Sequence, residues 1–139
     1  MKVCDVMTRD VEIASSEMSL TEAARRMRVR DVGFLPVAAN GTVVGVITDR
    51  DITLRGLGEG RIPELTKIGD VMTPMAVWCY EDDVLTHAAQ TMEENRVRRL
   101  LVLDSTQKLV GLLSLDDLAE HLSSERLLGT VLRNVTARE

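Results

Sequence analysis

Aromatic side chains are nearly missing: one Phe, one Trp and one Tyr in 139 residues, 2% of the chain. A core built from this sequence is therefore aliphatic with methionine, and a flat ligand would be gripped mainly by Val, Ile, Leu and backbone groups. The aromatic-interleaved basic surface of single-strand nucleic-acid binders is excluded. Positive charge is also short. With 17 Lys and Arg against 22 Asp and Glu, the net charge of −5 argues against a general nucleic-acid or anionic-membrane surface. The two cysteines, Cys4 and Cys79, have no C-x-x-C partner, which speaks against zinc and disulfide frameworks and for free thiols in a reducing cytosol. His87 and His121 stand alone, without a second ligand at metal spacing. No Cys/His or Ser/His/Asp arrangement, Walker motif or G-x-G-x-x-G appears, so no catalytic residues and no metal ligands are assigned. The chain also has no leader-like segment, no bilayer-spanning apolar run and no lipidation signal, and a cytoplasmic location is expected.

What is present is a repeat. Hydrophobic residues make up 45% of the chain, ample for burial. Asp5-Val6-Met7-Thr8 returns as Asp70-Val71-Met72-Thr73, 65 positions later. Leu20-Thr21-x-Ala23-Ala24-x-x-Met27 returns as Leu85-Thr86-x-Ala88-Ala89-x-x-Met92, and Val32-x-x-Leu35-x-Val37 as Val97-x-x-Leu100-x-Val102. One extra residue in the second turn then makes the offset 66, where Gly45 meets Gly111 and Asp51 meets Asp117. A period this long, present twice, signals two copies of a small domain rather than a solenoid.

Each copy reads as β-α-β-β-α, an α+β unit of about sixty residues, too small to bury both faces of its sheet alone. A lead-in with a short helical turn precedes a brief β segment at residues 11–14. Ser19 caps a helix, Glu22 is expected to complete a capping box, and Leu20, Ala23, Ala24 and Met27 share one face. Arg25, Arg26, Arg28 and Arg30 form its solvated side. Residues 34–38 are a strand, Ala39-Asn40-Gly41 a hairpin turn, residues 42–48 the return strand and 49–57 the second helix. The second copy repeats this with a helix at 84–95, strands at 99–103 and 109–114, and a helix at 115–124. The copies are expected to pack sheet against sheet with pseudo-twofold symmetry, leaving two equivalent clefts. The division is 1–60, a linker at 61–67 punctuated by Pro63, 68–125, and a part-helical tail at 126–139.

The turn from strand to helix admits two readings. Thr48-x-x-Asp51 and Ser114-x-x-Asp117 are capping boxes in the first. In the second, free backbone N–H groups favour an anion, Gly45 and Gly111 let a ligand approach closely, and the aspartate holds a ribose diol.

The doubled D-V-M-T lead-in, the V-x-x-L-P-V strand at residues 32–37 and the doubled G-h-h-[TS]-x-x-D resemble a tandem CBS-domain pair, the Bateman module, over residues 3–124. The resemblance implies a stand-alone regulatory module without catalysis. It would bind an adenosyl ligand (AMP, ADP or ATP first, then NAD or S-adenosylmethionine), dimerise with a second copy and report occupancy to an effector protein. In that family each cleft takes residues from both copies. The first would combine Val46, Thr48, Arg50 and Asp51 with Ala76, Val77, Val97, Arg98 and Arg99. Asp51 would accept from ribose hydroxyls, Thr48 would donate to sugar or phosphate, the valines would sandwich adenine, and the arginines would neutralise phosphates.

The second cleft would combine Leu112, Ser114 and Asp117 with Val11, Glu12, Val32, Gly33 and Pro36. Gly33 and Phe34 stand where the other copy has Arg98 and Arg99, and Asp116 replaces Arg50. An acid where a phosphate would lie repels it by on the order of 1–4 kcal/mol. The resemblance therefore implies a first site for a phosphorylated nucleotide and a second that is empty, weak or suited to an uncharged adenosyl group. Leu101 departs from the family pattern, standing where the first copy has Pro36. The alternative is a ligand-free structural or protein-interaction module of the same fold. In that case Arg98 and Arg99 are edge charges that discourage aggregation. Trp78, which could stack on a base, replaces Ile13 in a strand and is read as core packing. In the tail, Leu127, Leu128, Val131, Leu132 and Val135 mark a helical stripe, folded back or presented to a partner.

Overall fold

Turn chemistry and alternation build the first sheet. In the computed structural model, which describes residues 1–74, 77–121, 129, 132 and 133, strands β2 (Phe34–Ala39) and β3 (Thr42–Thr48) are joined by Asn40 and Gly41. Both turn residues have positive φ, 53° and 80°, as a two-residue hairpin turn of matching twist requires. Strand β1 (Ala14–Ser15) adds in parallel to β2, and β4 (Thr73–Pro74) adds antiparallel to β3, giving the order β1-β2-β3-β4. Helix α1 (Leu20–Arg30) packs Leu20, Ala23 and Met27 against Leu35, Val37 and Ile47. Ala24, expected on the same face, is exposed, whereas its counterpart Ala89 in the second copy is buried.

Ser19 does cap α1, its hydroxyl accepting from the Glu22 N–H at 3.1 Å. Glu22 does not complete the box. Its carboxylate turns outward to Arg25 and Arg26, a competing (i, i+3) and (i, i+4) attraction on the helix surface. The second helix begins at Thr48 as α2 (Asp49–Asp51), then widens into a π turn at Ile52–Gly56 and tightens into a 3-10 turn at Leu57–Glu59.

The other unit repeats the scheme with β5 (Trp78–Tyr80), α3 (Leu85–Asn95), β6 (Arg99–Leu103), β7 (Leu109–Ser114) and α4 (Leu115–His121). Its sheet order is β5-β6-β7, parallel then antiparallel. Leu85, Ala88, Ala89 and Met92 of α3 pack on Leu100, Val102 and Leu113. Each such leucine contributes about 1.5–3 kcal/mol by burial. Both cores are aliphatic with methionine, as the shortage of aromatics requires. Trp78 corrects one expectation. It is 43% exposed rather than core, because β5 alternates and gives its single inward position to Cys79.

Packing divides the chain differently from the sequence copies. One compact unit is Glu12–Ala76; the other joins Met1–Val11 to Val77–Glu139. Each lead-in therefore serves the other copy's core. Ile68 and Val71 are buried with the first copy, Val3 and Met7 with the second. Thr73 pairs with Val46 on β3, and Thr8 bridges Leu112 on β7 through N–H···O contacts of 2.8 and 2.9 Å.

Cys79 is 3% exposed, and burial, with Asp83 nearby, pushes its thiol up to about 12. Cys4 is half-buried. At pH 8 iodoacetamide is expected to label Cys4 in the native protein and Cys79 only after denaturation, as read by peptide mass spectrometry. Comparable native labelling rates would contradict this placement. Among the described residues no helix is long and apolar enough to cross a membrane.

Candidate functional site

The two hydroxyl–aspartate pairs singled out by the sequence lie where each sheet hands over to its second helix. In the Glu12–Ala76 unit the Thr48 hydroxyl accepts from the Asp51 N–H, and the Thr48 N–H donates to Asp51 Oδ2, both at 3.0 Å. The capping box is thus real, and Asp51 is buried in it at 9% exposure. Two residues that sequence reasoning missed complete the arrangement. Arg55 donates to Asp51 Oδ1 at 2.7 Å and to the Thr73 hydroxyl at 2.9 Å; that hydroxyl lies 3.3 Å from both Asp51 oxygens. The signal for Arg55 was its (i, i+4) spacing from Asp51. Thr73 carried no such signal, because its sequence copy is not its packing unit.

Three donors thus meet a carboxylate that offers about four acceptor positions. Arg50 is exposed, while Val46 is 9% exposed beside Pro36, its register partner. Gly45 corrects the second reading of the turn. A Cβ there would lie 2.3 Å from the Thr73 carbonyl oxygen, so the glycine admits the backbone of β4, not a ligand. At Gly111 the close neighbours are Met7 Sδ at 2.7 Å and the Thr8 carbonyl oxygen at 2.8 Å.

The same unit carries Glu12, Val32, Gly33 and Pro36. Glu12 is engaged by Arg26 at 3.2 Å and Arg30 at 3.6 Å, so these arginines are not simply solvated. Val32 is 42% exposed, Pro36 is buried, and the Gly33 carbonyl accepts from the Asp49 N–H at 2.9 Å.

The other unit holds the remaining candidates. Ser114 and Asp117 form a second capping box, with contacts of 2.9 and 3.1 Å. His121 stands where the first copy has Arg55, but its Nδ1 lies 3.0 Å from the Asp117 carbonyl oxygen instead of the carboxylate. Arg98, just before β6, and Arg99, its first residue, are exposed; the Arg98 carbonyl accepts from the Leu115 N–H at 2.8 Å, and Arg99 pairs with Ser114 in register. Val77 and Val97 pack against this unit's core, the Val77 carbonyl accepting from the Leu101 N–H, and Leu112 pairs with Leu101. Val11 is half-buried at the end of the lead-in. Ala76 lies outside the described residues, as does nearly all of the tail from 122 onward.

The structure thus assembles Val46, Thr48, Arg50 and Asp51 on one unit, and Val77, Val97, Arg98 and Arg99 on the other. Among the described residues no group of three or more His, Cys, Asp or Glu is placed to hold a metal ion. Within the Glu12–Ala76 unit the turn offers a carboxylate and a hydroxyl; within the other unit two exposed arginines stand at the start of β6.

Comparison with known proteins identifies the family. The CBS domain profile matches residues 3–57 and 68–124. A CBS domain-containing protein of Bacillus subtilis (strain 168), YhcV, is 36% identical over 134 residues, 96% of this chain and 94% of its own length. The solved structure of CBSX2 in complex with AMP superposes with a TM-score of 0.71 at 28% identity, covering 86% of this chain and 93% of that one. The CBS domain pair of MJ0100, in complex with 5-methylthioadenosine and S-adenosyl-L-methionine, gives 0.75 at 26% identity, covering 86% and 94%. The chain belongs to the CBS-domain family, with two CBS domains in tandem.

Proposed function

We propose that this chain is a regulatory sensor of an adenosyl ligand, an AMP-, ADP- or ATP-type nucleotide, acting in trans on a partner protein and not as an enzyme. The observation that carries this reading is the doubled turn, in which a hydroxyl and an aspartate, buried at Asp51 and half-buried at Asp117, are held at the start of a helix. Related CBS pairs solved with AMP, and with 5-methylthioadenosine and S-adenosylmethionine, supply the ligand class. In this reading Asp51 accepts from the ribose hydroxyls and Thr48 meets sugar or phosphate. Val46, Val77 and Val97 contact the base, and Arg98 and Arg99 neutralise phosphate. Ser114 and Asp117 serve a second position that takes an adenosyl group without phosphate. The protein acts as a cytoplasmic homodimer.

Titration calorimetry tests the charge assignment. In Arg98→Ala/Arg99→Ala the affinity for ATP is expected to fall by about 10- to 100-fold, from the loss of charge-assisted hydrogen bonds, while that for adenosine changes less than about twofold. An equal loss for both ligands would remove the arginines from the phosphate.

One observation favours a second reading, a ligand-free interaction module. Asp51 is already held by Thr48, Arg55 and Thr73 within its own unit. In that case no adenosyl compound changes the stability of the protein, and the search turns to partner proteins.

A further inference from the structure

The two copies share one backbone contact but differ in the charge that it positions. In one unit the Asp49 N–H donates to the Gly33 carbonyl at 2.9 Å; in the other the Leu115 N–H donates to the Arg98 carbonyl at 2.8 Å. The first residue of the helix is therefore held beside the residue before the central strand in both units. At Gly33 a Cβ would stand 2.6 Å from Asp49 Oδ2 and 3.0 Å from its Cγ. The carboxylate fills the direction in which a side chain would leave, and the Arg50 N–H pins it by donating to Oδ1 at 2.8 Å. The matching position in the other copy is Arg98, with the neutral Leu115 in place of Asp49. One strand start has a carboxylate against it, and the other begins with an arginine.

We propose that Asp49 determines specificity at the ligand position that includes Gly33. It excludes phosphate and selects an adenosyl ligand that is neutral or positively charged, such as adenosine or a sulfonium nucleoside. A phosphate arriving there meets a carboxylate that cannot swing away without giving up the Arg50 N–H, whereas a cationic group meets a partner already in place. This rests on the adenosyl-binding reading above and names the ligand class of its second position.

The test uses the full chain saturated with ATP at the first position, to which labelled adenosine is added. ATP is then raised further until half of the adenosine is displaced. Asp49→Asn keeps the acceptor for the Arg50 N–H and removes the charge; Asp49→Leu copies Leu115. The exposed Glu59→Gln makes the same change in net charge elsewhere in the unit. The displacing ATP concentration is expected to fall at least about tenfold in both Asp49 variants and to stay unchanged in Glu59→Gln, while S-adenosylmethionine binds more weakly to the Asp49 variants. A change under twofold in both Asp49 variants, or an equal fall in Glu59→Gln, overturns the role of Asp49 and leaves adenosyl binding standing. Absence of adenosine and ATP binding in the wild type overturns both.

Discussion

Gly45→Ala destabilises the protein by about 3 kcal/mol, at the upper end of what overpacking produces. The added methyl group meets the Thr73 carbonyl oxygen at 2.3 Å, the Pro74 Cα at 3.0 Å and the Thr73 carbonyl carbon at 3.1 Å. All three are backbone atoms, so no rotamer change relieves the clash. Strand β4 must move off β3, which breaks the pairing of Val46 with Thr73 and withdraws the Thr73 hydroxyl from Asp51. Gly111→Ala is expected to do less. Its nearest neighbour is the sulfur of Met7, the end of a flexible side chain, although the Thr8 carbonyl at 2.8 Å limits the relief. Urea denaturation of both variants measures the order. A Gly45→Ala cost under about 1 kcal/mol, or a larger cost at Gly111, would contradict the close approach of β4.

Asp51→Ala carries the second large effect, and it acts on two properties at once. Removing the carboxylate strips the Thr48 N–H of its acceptor and leaves Arg55 and the Thr73 hydroxyl without the group that gathers them. Loss of a cap and of a hydrogen bond to a charged group costs about 2 kcal/mol together. Loss of nucleotide response in this variant therefore cannot by itself assign a ribose contact. Asp51→Asn separates the two. Its amide oxygen can still accept from the Thr48 N–H, so stability falls by about 1 kcal/mol or less, while the charge facing Arg55 is gone. The expected result is a folded Asn variant whose midpoint no longer responds to ATP. A fully retained response would make Asp51 a cap alone.

Features that depend on neighbours in sequence were legible. Asn40-Gly41 specified the hairpin, Ser19 the start of α1, and Thr48 and Ser114 the two boxes, because caps and tight turns are settled within a few residues. The repeat identified the family and with it the α+β units of both copies. What escaped depends on contacts between distant segments. The lead-ins at Asp5 and Asp70 were visible as motifs, but spacing alone does not say which sheet edge a short segment joins. Once Thr73 is paired with β3, Gly45 is explained by β4 and Asp51 acquires its third donor. Trp78 was misplaced for a related reason: a three-residue strand has one inward position, and its neighbour Cys79 holds it.

The most direct test of the sensor reading is the thermal midpoint of the wild-type chain with adenosine, AMP, ATP and GTP. A ligand at a hundred times its dissociation constant adds about 2.7 kcal/mol to the folded state, a shift of several degrees for a chain of this size. The account predicts a rise with the adenine compounds and none with GTP. No shift with any of them at millimolar concentration, or an equal shift with GTP, would contradict it.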